Sequence, residues 1–474
     1  AALQEGDIEI VLDVLAKAEQ DAILEEMLWQ IHAANLQEEL DPPEASDLPA
    51  PARFPVATDE LTEQRNEAPQ VHPPRPFWRT SRVLQTLAAV LLVGALVGGF
   101  VLVLGGSHAN RHGGNPAPPP FGCFVSSSAP QGQGWLMGMA AVADDDIWAV
   151  GDQPDDNGNG SIALIEHWNG RNWQSVANPG VSGKGGALNA VTALSATDVW
   201  AVGYITPSSS ASGLIGQPLI EHWDGKSWRV VQNKSLSPQS FNGLTGVTAI
   251  APDDIWAVGK VMQGPSPKHP SPSSQLLFEH WNGQDWQIVP GPGLDTDAVL
   301  VELDAVTALA SDNIWAVGAL NDMPFILHWN GQDWRTIASP RLSEPGGLTG
   351  ISALDANNIW AVGSSGVIEH WDGKSWRVVV GVSQNNWQTV LALAPNDVWV
   401  GGASDKNLSE KALLEHWDGK SWQVITGPAS LSGKLFSSNV NAITTAPSGK
   451  IWLVGFQGAF QNDLRPMIAT SSCL

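Results

Sequence analysis

A two-part signature recurs along the C-terminal part of this chain, and its spacing leaves few folds open. Between Leu188 and Val231 it reads LNAVTALSATDVWAVG, then a Ser/Gly-rich insert, then LIEHWDGKSWRVV. Complete or partial copies put the tryptophan of the first part at Trp148, Trp200, Trp256, Trp315, Trp360, Trp399 and Trp452, spaced 39 to 59 residues apart. A period of about 40 to 50 residues built from several short strands predicts a β-propeller.

Each copy reads as four strands. Strand a is the LNAVTAL type with alternating apolar residues, and a short turn such as SATD or APDD leads to strand b, DVWAVG. After the insert comes strand c, LIEHW, then Asp-Gly or Asn-Gly, the strongest short hairpin signal, then strand d, KSWRVV or QDWQIV. Tryptophan and β-branched residues at alternate positions suit strands covered on both sides by neighbouring blades. The seventh copy ends before any DGKSW hairpin, while Phe121 to Pro130, FGCFVSSSAP, resembles a d strand with no a, b or c before it. The expected fold is therefore all-β, a seven-bladed propeller over residues 121–474 with "3+1" closure, the N-terminal strand completing the last blade and removing exposed edges.

The D-[VI]-W-A-V-G and H-W-[DN]-G-x-x-W pairs resemble the Trp-rich repeats of bacterial extracytoplasmic propellers, similar in style to kelch and galactose-oxidase-like folds, although the kelch double-Gly is absent. The resemblance implies a fold and no single activity.

The remaining segments predict a membrane protein. Residues 1–40 carry apolar side chains at three-to-four spacing among Glu and Gln, an acidic helical segment too short to bury a core of its own. Residues 41–82 form a Pro-rich linker whose composition cannot offset its ordering entropy. Residues 83–105 contain no charge, and about 20 apolar residues span a bilayer as a helix. Arg75, Arg79 and Arg82 precede this span and only Arg111 follows it closely, which places the N-terminus in the cytoplasm and everything after the 106–120 linker outside. The layout resembles that of membrane-bound anti-sigma factors, without their His/Cys zinc motif, and implies a cytoplasmic partner for residues 1–40.

Acids outnumber bases two to one, 48 Asp and Glu against 24 Lys and Arg, and an acidic surface repels phosphate backbones. Nucleic acid is not an expected partner. The two cysteines, Cys123 and Cys473, bracket the repeat region, a pattern expected of a disulfide in an oxidising compartment.

Candidate chemistry is sparse. Six histidines, His167, His222, His280, His328, His370 and His416, sit in the c strands, five of them after Glu. Equivalent positions lie far apart around a ring, so each is expected to hydrogen-bond within its own blade. A sialidase-like site needs a Tyr nucleophile and an Arg triad, yet Tyr204 is the one tyrosine. Galactose-oxidase-like copper chemistry needs Tyr and Cys ligands beyond what the chain supplies. No catalytic constellation is predicted, nor any required cofactor, and a carbohydrate-active enzyme stays an alternative only through acids brought together by loops.

One insert does carry a motif. Asp155 to Glu166, DDNGNGSIALIE, satisfies D-x-[DN]-x-[DN]-G-x5-E, with Asp155, Asn157, Asn159, the Ser161 carbonyl and Glu166 as calcium oxygens. The same residues read equally as a flexible turn followed by the repeat Glu. Inserts between strands b and c, and connections between d and a, vary most and emerge on one face, where an extracellular protein or glycan is expected to bind. The function so read is a non-enzymatic binding or sensing module. A transmembrane regulator of anti-sigma type is the alternative.

Overall fold

The structure, a computed structural model, describes residues 124–127 and 132–471 except 156–159, 180–184, 207–215, 233–240, 264–272, 295–299, 341, 343–344, 382–384, 405–410, 426–436 and 459–463. The predicted helical segment, linkers and span 83–105 all lie outside these residues. Among the described residues no helix is long and apolar enough to cross a membrane.

Seven four-stranded antiparallel sheets make up a seven-bladed propeller. Blade 1 sets the pattern, with strands a Trp135–Ala143, b Asp146–Pro154, c Ser161–Trp168 and d Trp173–Ser175. Strands a and b are joined by two residues, Asp144 and Asp145, and c and d by the hairpin that Asn-Gly or Asp-Gly marks. In blade 2 the Asp224 carboxylate closes that hairpin by accepting the Lys226 and Ser227 N–H groups at 3.0 Å, and Gly225 takes φ +86°, a region that favours glycine.

The Gly that ends WAVG has a separate reason. At Gly151 a Cβ would fall on the Trp135 carbonyl oxygen of strand a, so a side chain here would break the a–b ladder. Each strand a also contains a bulge, seen in blade 2 as a register shift between Leu188 and Ala190. The extra residue re-aims one side chain out of the sheet.

Blades are joined by tryptophan. Trp148 of blade 1 is 1% exposed and packs between Trp223 and Trp228 of blade 2, with ring centroids at 4.9 and 5.3 Å. Trp200 meets Trp281 and Trp286 of blade 3 in the same way. The series returns on itself where Trp452 of blade 7 packs on Trp168 and Trp173 of blade 1, at 5.2 and 5.8 Å. Such buried aromatic pairs contribute about 0.5–1.5 kcal/mol each beyond their area.

Blade 7 has the strand order Phe124–Ser126, Arg465–Ser471, Ile451–Gly458, Ser437–Thr445, so its outermost strand comes from the N-terminal side of the chain. Phe124 lies opposite Ser471 and Ser126 opposite Ala469. Phe124 stands where the other blades place the strand d tryptophan, and it packs edge-on against Trp399 of blade 6 at 5.8 Å.

Candidate functional site

The repeated His and Trp residues belong to the fold. In blade 1 His167 Nε2 is 2.8 Å from Asp146 Oδ1, and the imidazole stacks on Trp148 at 4.1 Å. In blade 2 Asp198 Oδ1 takes His222 Nε2 at 2.9 Å and also accepts the Trp200 Nε1–H at 2.8 Å. In blades 2, 3 and 6 one Asp at the start of strand b thus fixes both the His of strand c and the Trp that enters the next blade. Blades 4 and 5 use Asn313 and Asn358 in its place. There burial holds His328 and His370 below their ordinary value, with the Arg335 charge adding to the effect at His328. Every one of the six His finds its partner inside its own blade, as expected from the sequence.

Three residues of the calcium motif, Asp155, Ser161 and Glu166, are described. Asp155 follows strand b, and its N–H donates to the Gly160 carbonyl at 2.8 Å. Ser161 opens strand c, whereas Glu166 lies five residues further along it, about 16 Å of extended chain away. Glu166 is fully buried and accepts the Ser175 hydroxyl of strand d. A cation at the insert would have to be held without it. Asn157 and Asn159 lie outside the described residues, as do Cys123 and Cys473. Among the described residues no group of three or more His, Cys, Asp or Glu side chains is placed to hold a metal.

What sequence reasoning missed is a short-loop sector on the loop face. In blade 4, strands b, Asn313–Leu320, and c, Met323–Trp329, are joined by only Asn321 and Asp322. In blade 5, strands Asn358–Gly363 and Ile368–Trp371 are joined through the single turn Ser364–Gly366. Blades 2 and 3 have nine or more residues between the same two strands, so the connection is shorter in blades 4 and 5. Leu300, 56% exposed, and Met323, 37% exposed, face solvent there, and Val380 stands 85% exposed on the connection leaving blade 5.

The turns of this sector are rigid. Asn321 and Asp322 take φ +51° and +61°, and Ser365 takes +59°, the three described non-glycine residues in the left-handed region. Asn and Asp tolerate it, while Ser365 is held there from outside: its N–H donates to Asn386 Oδ1 at 3.3 Å and its hydroxyl to the Pro345 carbonyl at 2.9 Å. Gly346 N–H donates to the Asp322 carbonyl at 2.7 Å, tying blade 4 to the start of blade 5. Sparsely populated backbone held by its surroundings clusters at binding sites.

Beneath the sector lies charge. Lys260 of blade 3 reaches across the seam to Glu302 of blade 4, Nζ to Oε2 at 2.6 Å, and Asp304 follows on the same strand, 3% exposed. The arrangement offers exposed apolar side chains, backbone polar groups held by hydrogen bonds and one half-buried ion pair. Those are the elements of a recognition surface.

The chain matches no protein-family model and no curated protein sequence. Solved structures do match at the level of fold. It is similar to YCF48 from Cyanidioschyzon merolae at 13% identity and TM-score 0.46, over 74% of this chain and 98% of that one. YCF48 bound to D1 peptide matches at 14% identity and TM-score 0.47, over 73% of this chain and 95% of the other. The extracellular domain of the putative hybrid two component system BT3049 from B. thetaiotaomicron matches at 14% identity and TM-score 0.47, over 75% of this chain and 42% of the other.

Proposed function

We propose that this chain is a membrane-anchored extracellular propeller that acts as a non-enzymatic binding or sensing module, taking a protein or glycan on its loop face. The observation that carries the reading is the short-loop sector over blades 4 and 5, where Leu300 and Met323 stand exposed beside hydrogen-bonded turns. The opposite face spends its repeated Asp, His and Trp groups on one another. Anchoring rests on the uncharged stretch 83–105 and the three arginines before it. We read the pairing of Phe124–Ser126 with Arg465–Ser471 as the 3+1 latch, and Cys123, next to Phe124, and Cys473, two residues after Ser471, as its disulfide lock.

The test is a glycan, cell-wall and surface-protein array probed with wild type and three variants. Leu300→Asp and Met323→Asp should each weaken capture by about tenfold or more, as expected for anchors at the centre of an interface. Lys226→Glu, in a hairpin on the opposite face, should leave it unchanged. No capture by wild type, or equal loss in all three variants, would sink the reading.

A further inference from the structure

The bulge residues of the innermost strands form an inter-blade hydrogen-bond series, and one member of it is a carboxyl group. Asn189 of blade 2 donates through Nδ2 to the Leu244 carbonyl of blade 3 at 2.7 Å. Thr245 of blade 3 donates through Oγ1 to the Leu303 carbonyl of blade 4 at 2.6 Å. Thr349 of blade 5 donates to the Trp387 carbonyl of blade 6 at 2.7 Å, and Asn441 of blade 7 to the Leu136 carbonyl of blade 1 at 2.8 Å. Each donor sits in the bulge of its own strand a, and each acceptor is the residue just before the bulge of the next blade.

Blade 4 has the same bulge, a register shift between Leu303 and Ala305, and Asp304 stands in it. The matching acceptor in blade 5 is the Leu348 carbonyl, the residue before the shift to Gly350. An ionised carboxylate has no hydrogen to give and would set two acceptors against each other. No donor reaches the buried Asp304 Oδ1 either, so an anion here would lack a hydrogen bond at that oxygen.

The surrounding charges agree. The titratable side chains that bear on Asp304 are Glu302 of its own strand and Lys260 of blade 3, already paired at 2.6 Å. Strand a of blade 3 and strand b of blade 4 contribute no charged group, and on the blade 5 side Asp355 lies at the far end of strand a. One ammonium balances one carboxylate, and a second carboxylate, this one buried, would leave the cluster with a net negative charge.

We propose that Asp304 is held as the carboxylic acid at neutral pH and donates its proton to the Leu348 carbonyl, a positioning residue that closes the seam between blades 4 and 5. In this role it takes the place that Asn and Thr side chains occupy in blades 2, 3, 5 and 7. Burial first, and the Glu302 charge second, raise its carboxyl well above the ordinary value, with Lys260 offsetting part of the effect. Because the folded form holds this proton more tightly than the unfolded chain, the stabilisation is complete below the ordinary Asp value. It is lost as pH rises through the raised one. The proposal stands whether or not the loop face above the seam binds a ligand.

The test compares the full chain with Asp304→Asn, which donates at every pH. In the infrared difference spectrum at pH 7, wild type should show a protonated-carboxyl C=O stretch that the variant lacks. Between pH 6 and 9 the wild-type melting temperature should fall at least about 2 °C further than that of the variant. Other buried acids are common to both proteins and cancel in the comparison. Should Asp304→Asn fail to fold, Asp304→Thr, which copies blades 3 and 5, carries the same two measurements. Absence of the acid band at pH 7, or parallel loss of stability in wild type and variant, overturns the proposal.

Discussion

Glu166 and Glu369 are carboxyl groups folded into places that water does not reach. Burial pushes both up to about 7, against the partial relief of hydroxyl hydrogen bonds from Ser175 and Ser339. A raised acid binds its proton more tightly in the folded state, so its contribution is complete below about pH 4.5 and is lost as pH rises towards 7. The propeller is therefore expected to melt at a higher temperature at pH 5 than at pH 8. Glu166→Gln and Glu369→Gln, which copy the protonated form, should each stabilise by about 1–3 kcal/mol at pH 8 and change little at pH 4.5. Thermal melts of wild type and variants at both values check this, and a larger gain at the lower pH would contradict it. The Glu that precedes His is visible in the sequence, but its burial is not. Alternation assigns it a face without saying what covers that face.

At the scale of strands and turns, far more was legible. The seven b-strand tryptophans, the Asp-Gly hairpins and the stray FGCFVSSSAP segment each point to an element that the structure contains, because each depends on local chemistry: alternation, positive φ, or a strand lacking its neighbours. The bulge series was hidden because Asn189, Thr245, Asp304, Thr349 and Asn441 differ in type and share only a place in the register. The short-loop sector was hidden for a related reason. Insert lengths drew attention to the long connections, whereas the exposed Met323 follows the shortest one and Leu300 lies beside it, its carbonyl accepting the Asn321 N–H. In the calcium motif, Glu166 is the residue that the pattern shares with the repeat, and it lies buried along strand c, five residues beyond Ser161. The N-terminal strand has its own prediction. Phe124 is 4% exposed and is the aromatic contact through which that strand meets Trp399, so Phe124→Ala should cost about 3 kcal/mol. Denaturant melts of the full chain measure it, and a cost near zero would mean that the strand is not part of the cooperative unit.

For the whole molecule, placement and locking can be tested together. If residues 106–474 lie outside the membrane and Cys123 is bonded to Cys473, a membrane-impermeant thiol reagent should label neither cysteine on intact cells. It should label both after treatment with an impermeant reductant. Labelling without reduction would remove the disulfide, and no labelling after it would remove the outward orientation. A different consequence follows from the indoles that pass from one blade to the next. Each blade both gives a ring, as Trp148 does to blade 2, and receives one, as blade 1 does from Trp452. The relation has a direction and, around the circle, no first or last member. Opening the circle between any two blades leaves an unhoused indole on one side and an empty slot on the other. These raw ends fit each other, and equally the ends of another opened copy, so the contact that makes the monomer closed is also the one by which two broken rings would trade halves.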